Sequence, residues 1–95
     1  MRNKFIEVLI EEARSNDKIV LIIGDLGYNV VEPFQEQFPE RFFNAGICEQ
    51  NMASMAAGLS SEGFHVFIYS IANFPTFRCA EQLRNDIGYH NLNVT

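Results

Sequence analysis

The chain has 95 residues, room for one small domain that buries about 60–65% of its unfolded surface. Hydrophobic residues make up 47% of it and charged residues 20%, the composition of a packed protein and not of a disordered one. The net charge of −5, with seven scattered Lys and Arg, excludes an electrostatic grip on nucleic acid, and the longest apolar run, Ile19 to Ile23, is too short to span a bilayer. The N-terminal stretch "MRNKFIEVLIEEARS" is broken by acids where a signal peptide is continuous, so the expected location is the cytoplasm.

In chain order, Phe5, Val8, Leu9 and Ala13 recur at helical steps among Glu7, Glu11, Glu12 and Arg14, which predicts an amphipathic helix over 3–15. "KIVLIIGD" follows as a continuous β-branched run ending at Gly24 and Asp25. A strand apolar on both faces is a central parallel strand covered by helices. Pro33 suits the first turn of a short helix that Pro39 ends, and "RFFNAG" reads as a second strand. Residues 47–62 carry Met52, Met55, Ala56 and Leu59 on one stripe before Gly63, a helix with a C-cap glycine. "FHVFIYS" alternates into a third strand, "PTFRCAEQLRNDIGYH" predicts another helical segment, and "NLNVT" starts a last strand.

Alternating helices and strands predict an α/β fold: a doubly wound, mostly parallel sheet with helices on both faces. A final strand without a successor leaves such a sheet uncovered, so residues 1–95 are expected to be a partial domain, truncated at the C-terminus.

Ligands of open α/β sheets bind beyond the carboxyl ends of the strands, which selects the loops 24–29, 44–49 and 70–77. They carry Asp25, Glu49 and the aromatics Phe74 and Phe77. Each has a plain structural account. An acid in the first turn of a helix gains about 0.3–1 kcal/mol from the macrodipole, Asp25 follows a glycine in a turn, and phenylalanines fill cores. Ala53, Ala56, Ala57 and Gly58 would let the 47–62 helix approach a neighbour or a symmetry mate closely. His65 and His90 have no Cys, Asp or Glu at ligand spacing, so no metal site is expected from this chain. Cys48 and Cys79 form no C-x-x-C motif and read as reduced thiols. "GDLGYN" lacks a Walker lysine and the G-x-G-x-x-G pattern.

Taken together, "RFFNAGICEQNMASMAAGLSSEGFHVF", "SIANFPTFRCAEQLRN" and "GDLG" resemble, nearly end to end, the pyrimidine-binding domain of transketolase-like, thiamine-diphosphate-dependent enzymes. The most specific piece is Gly46-Ile47-x-Glu49-Gln50-Asn51-Met52 followed by Ala56-Ala57-Gly58-Leu59. The resemblance is closest to two-component transketolases, where one chain supplies this domain and another binds the diphosphate. Gln50 fits that type, since the long transketolases carry histidine there.

The resemblance implies that Glu49 is the catalytic acid, hydrogen-bonded to N1′ of the coenzyme's aminopyrimidine. Sharing that proton favours the imino form that activates the thiazolium. It further implies coenzyme contacts at Asp25, Ile47, Ile71, Phe74 and Phe77, with Phe74 stacked on the pyrimidine. No G-D-G…N segment is present, so Mg²⁺ and the diphosphate would be held by a partner subunit. The implied activity is transfer of two-carbon ketol units between sugar or sugar-phosphate substrates, in a dimer or hetero-oligomer assembled through this domain. The 95-residue chain alone would be inactive. Alternatives are another thiamine-diphosphate component, of the decarboxylase or oxo-acid dehydrogenase beta type, and a non-catalytic truncated interaction module.

Overall fold

The computed structural model describes residues 1–95. Helix α1 (Arg2–Ser15) buries Ile6, Leu9, Ile10 and Ala13, a stripe at three- and four-residue steps. Val8, expected on that stripe, is instead 45% exposed, because the buried face is centred a position away from it. Strand β1 (Ile19–Ile23) is buried at every position, as its unbroken apolar run predicts.

A loop leads into α2 (Glu32–Gln37), whose first turn holds Pro33. The Glu32 carboxyl lies below its usual range, held there by backbone N–H groups of its own residue and of Asn29. A 3-10 turn (Pro39–Arg41) then feeds β2 (Phe42–Asn44). Arg41 donates to the carbonyls of Ala13 and Asn16 and stacks on Phe38, pinning the carboxyl end of α1 to this turn. Helix α3 (Glu49–Ser61) crosses to β3 (His65–Tyr69).

The sheet is parallel with order β2-β1-β3, Leu21 pairing with Phe42 on one side and Phe67 on the other. Side chains alternate across it. Ile19, Leu21 and Ile23 pack with α1 and α2, while Val20 and Ile22 pack with Met52 and Ala56 of α3. Helices therefore cover both faces. Val94 makes a single parallel bridge to Val66, the beginning of the expected last strand.

The helical segment expected after β3 is present with irregular winding: a 3-10 turn (Phe77–Cys79) and an α-helical turn α4 (Ala80–Gln82) run into a π-helical stretch (Leu83–Gly88). There the N–H of Tyr89 reaches back to Arg84 O and that of Leu92 to Ile87 O. Gly88 accommodates the widening, since a Cβ on it would stand 3.0 Å from Leu83 O. Within the chain the close approach of α3 is made by Ala53 and Ala57, which pack against Cys79 and Ile87, while Gly58 faces open space. Helix α3 thus lies between the sheet and the 77–88 segment.

Candidate functional site

The chain steps from β1 to β2 on one side and then crosses back over β1 to β3, so strand order reverses at β1. The loops leaving the three strands are tied together there: the Gly24 N–H donates to Tyr69 O at 3.2 Å and the Ala45 N–H to Ile23 O at 2.9 Å. Gly46, with φ of 77°, turns the chain, and the Cys48 N–H closes onto its carbonyl at 2.8 Å. That turn makes Glu49 the first residue of α3 and delivers it to the reversal point, where open α/β sheets hold ligands.

The Glu49 side chain is 2% exposed, and acids are almost never so buried without a partner. Its partner is Arg78, whose Nη1 donates to Oε2 at 3.1 Å. The guanidinium carbon lies 4.0 Å from the centroid of the Phe74 ring. Around this pair, Gln50 Nε2 donates to Arg78 O at 3.1 Å and the buried Cys79 thiol donates to Phe74 O at 3.2 Å. Desolvation pushes the Cys79 thiol above its ordinary value; the Glu49 charge adds to this and Arg78 opposes it.

The other carboxylate oxygen borders a small cradle over Gly24. A Cβ built there would stand 3.4 Å from Ser70 Oγ, 3.6 Å from Glu49 Oε1 and 3.7 Å from Gly46 O. Ser70 Oγ is buried with no hydrogen-bond partner. An unsatisfied hydroxyl beside a carboxylate and a carbonyl offers hydrogen-bonding capacity to a ligand group carrying both donors and acceptors. No group of three or more His, Cys, Asp or Glu stands at metal-holding distance in the chain.

The other residues singled out from sequence fall into three places. Ile47 lines the same open depression as Glu49, together with Cys48, Gln50, Asn51 and Arg78. Asp25 lines a separate cavity with Tyr28, Glu32 and Gln35, its carboxylate accepting from Asn44. Ile71 and Phe77 stand at the surface, Phe77 83% exposed. Sequence reasoning missed Arg78 and Ser70. Arg78 lies four residues after Phe74 with no regular helix joining them, so neither it nor Ser70, which lies against Gly24, carried a local signal.

The parallel sheet with helices on both faces makes this an α/β protein, and the buried Glu49 stands where strand order reverses, the place where such folds hold ligands. All 95 residues match the family described as transketolase, pyrimidine binding domain, and the chain belongs to that family. It is 44% identical over 95 residues to the putative transketolase C-terminal section of Methanocaldococcus jannaschii, covering 99% of this chain and 30% of that protein. Against the 6-deoxy-6-sulfo-D-fructose transketolase subunit of a Clostridium species it is 34% identical, again spanning 99% of this chain and 30% of the relative. It is also 37% identical to the 1-deoxy-D-xylulose-5-phosphate synthase of Clostridium perfringens over 96% of this chain and 15% of that one. A solved structure of a split-gene transketolase, an inactive beta4 tetramer, superposes with a TM-score of 0.88 at 42% identity, over 98% of this chain and 31% of that one. The chain thus spans about a third of the length of its transketolase relatives.

Proposed function

We propose that this chain is the pyrimidine-binding part of a two-chain, thiamine-diphosphate-dependent transketolase that moves two-carbon ketol units between sugar or sugar-phosphate substrates. The observation that carries the reading is the buried Glu49 carboxylate, set beside the unpartnered Ser70 hydroxyl over Gly24. When bound, thiamine diphosphate supplies the nucleophilic carbon that carries the ketol unit. The chain's own residues supply position and a proton site. Glu49 would hold a proton between its carboxyl and N1′, and the Gly24–Ser70 cradle would admit one edge of the ring. Phe74 would offer its ring, Ile47 apolar surface in the Glu49 depression, and Ile71 and Phe77 exposed apolar surface. Asp25, tied to Asn44, would set the shape of the β1 loop more than it touches the coenzyme.

In this reading Mg²⁺ and the diphosphate are held by a partner subunit. The two relatives that are a C-terminal section and a subunit support a divided enzyme. Assembly through this domain into a dimer or larger hetero-oligomer, and a cytoplasmic location, belong to the same proposal; no helix is long and apolar enough to cross a membrane. The likeness to a synthase favours a second reading, another reaction of the same coenzyme. Reconstitution of the complete chain with a diphosphate-binding partner, Mg²⁺ and thiamine diphosphate decides between them. Ketol transfer between a ketose and an aldose is the expected result. A complex that loads coenzyme and lacks transfer points to the second reading, and one that loads none refutes both.

A further inference from the structure

Arg78 is held in place far more firmly than a half-exposed arginine needs to be. Its guanidinium donates to Glu49 Oε2 and sits over Phe74, 4.0 Å from the ring centroid, and its backbone carbonyl accepts from Gln50 of the same helix turn that carries Glu49. Its side chain is 48% exposed while that of its partner is 2% exposed, so the pair places a cation at the rim and an acid inside. The two carboxylate oxygens are thereby distinguished: Oε2 is held by Arg78, and Oε1 borders Gly24 and Ser70.

Resting on the coenzyme reading above, we propose that Arg78 is a positioning residue for Glu49. It fixes the carboxylate through Oε2, leaves Oε1 as the oxygen for the coenzyme's ring nitrogen, and sets the proton affinity of that carboxyl–nitrogen pair with its charge. Arginine suits the task because its flat fork both stacks and donates in one orientation, which lysine does not reproduce. A cation beside a proton-sharing pair disfavours the added proton, so the pair releases it at lower pH than it would without Arg78. Titratable groups on the neighbouring elements include Cys79, Glu81, Arg84 and Asp86 on the 77–88 segment, Cys48 beside Glu49, Tyr69 at the end of β3, and Asp25 on the β1 loop, whose carboxylate is turned to Asn44.

The test uses the complete chain assembled with its diphosphate-binding partner, Mg²⁺ and thiamine diphosphate, without substrate. Circular dichroism follows the aminopyrimidine and iminopyrimidine bands of the bound coenzyme against pH. Arg78→Met is expected to move the midpoint up by about one unit or more, the scale of losing a neighbouring charge. Arg78→Lys, which keeps the charge, should stay within about half a unit of the wild type. Arg78→Gln keeps a donor for Oε2 without the charge and should move with Met; it also decides the matter if the Met variant fails to assemble. An unmoved midpoint in the neutral variants, or an equal shift in Lys, overturns the role of Arg78. Absence of both bands in the wild-type assembly instead refutes the coenzyme reading, and this proposal with it.

Discussion

Asp25 and Asn44 bind each other in both directions: the Asp25 N–H donates to Asn44 Oδ1 at 3.1 Å, and Asn44 Nδ2 returns a bond to Asp25 Oδ1 at 2.9 Å. Asn44 Oδ1 also accepts the Gly46 N–H at 2.9 Å. One amide therefore joins the loop after β1 to the turn that launches α3. Asp25 sits at φ of 55°, a left-handed conformation that aspartate tolerates better than most residues.

Asn44→Ala removes all three bonds and is expected to lower stability by about 2 kcal/mol, at roughly 0.5–1.5 kcal/mol for each bond lost. Asn44→Asp keeps the acceptor but sets a second carboxylate against Asp25, so at neutral pH it should also be destabilising, and acid should relieve part of that loss. Urea denaturation of the complete chain at two pH values checks both. A stable Asn44→Ala variant would mean that the loops are held elsewhere.

Gly24 and Gly27 are close in sequence and opposite in expectation. A Cβ on Gly27 would lie 2.9 Å from Val31 Cγ1 and 3.1 Å from Tyr69 Cε1, at φ of 102°. Gly27→Ala should therefore cost about 1–2 kcal/mol for the backbone alone, with crowding added. On Gly24 the nearest atom is 3.4 Å away, an ordinary contact. Gly24→Ala should fold with unchanged stability or a gain of up to about 1 kcal/mol, yet put a methyl in the cradle between Ser70 and Glu49. Thermal melts and calorimetric coenzyme titration of the assembled enzyme separate the two effects: Gly27→Ala lowers the melt, Gly24→Ala weakens binding.

Glu49→Gln retains size and hydrogen-bonding capacity while removing the acid. On the proposed reading, with the chain assembled with a diphosphate-binding partner, it is expected to lower kcat by about 10²–10⁴-fold, the usual scale of acid–base assistance. Steady-state turnover measures this directly, and near-full activity would take Glu49 out of the chemistry.

Cys79 makes a pH prediction whose sign follows from its raised thiol value. Above the ordinary thiol range the unfolded chain loses this proton while the folded chain keeps it, so the unfolded state binds fewer protons and stability falls as pH rises. Below that range the thiol is protonated in both states and contributes no slope. The denaturation midpoint of the wild type should thus decline more steeply in alkaline solution than that of Cys79→Ala, narrowing the difference between them. A thiol reagent should modify the exposed Cys48 well before the buried Cys79.

Most of the fold was legible in local pattern. The run Ile19–Ile23 announced a strand buried on both faces because only a central parallel strand leaves no side for polar residues. Pro33, Gly63 and the Met52–Ala56 spacing marked helix ends and a buried face, since capping and periodicity act within a turn or two. Residues 77–88 were less legible. Their π-helical winding follows from i→i+5 bonding that Gly88 permits, and a list of side chains does not register it.

The sequence by itself determined the order of elements, the three loops that meet at the strand ends, and the acid at the entry to α3, because each depends on residues near one another in the chain. Only the tertiary structure decided what that acid touches. Arg78 is 29 residues from Glu49, and Ser70 follows β3 whereas Gly24 follows β1; such pairs become neighbours only when β2-β1-β3 order brings the strands' carboxyl ends together. Packing also decided that Glu49 is buried and Phe77 exposed, since burial is set by what the rest of the chain places overhead.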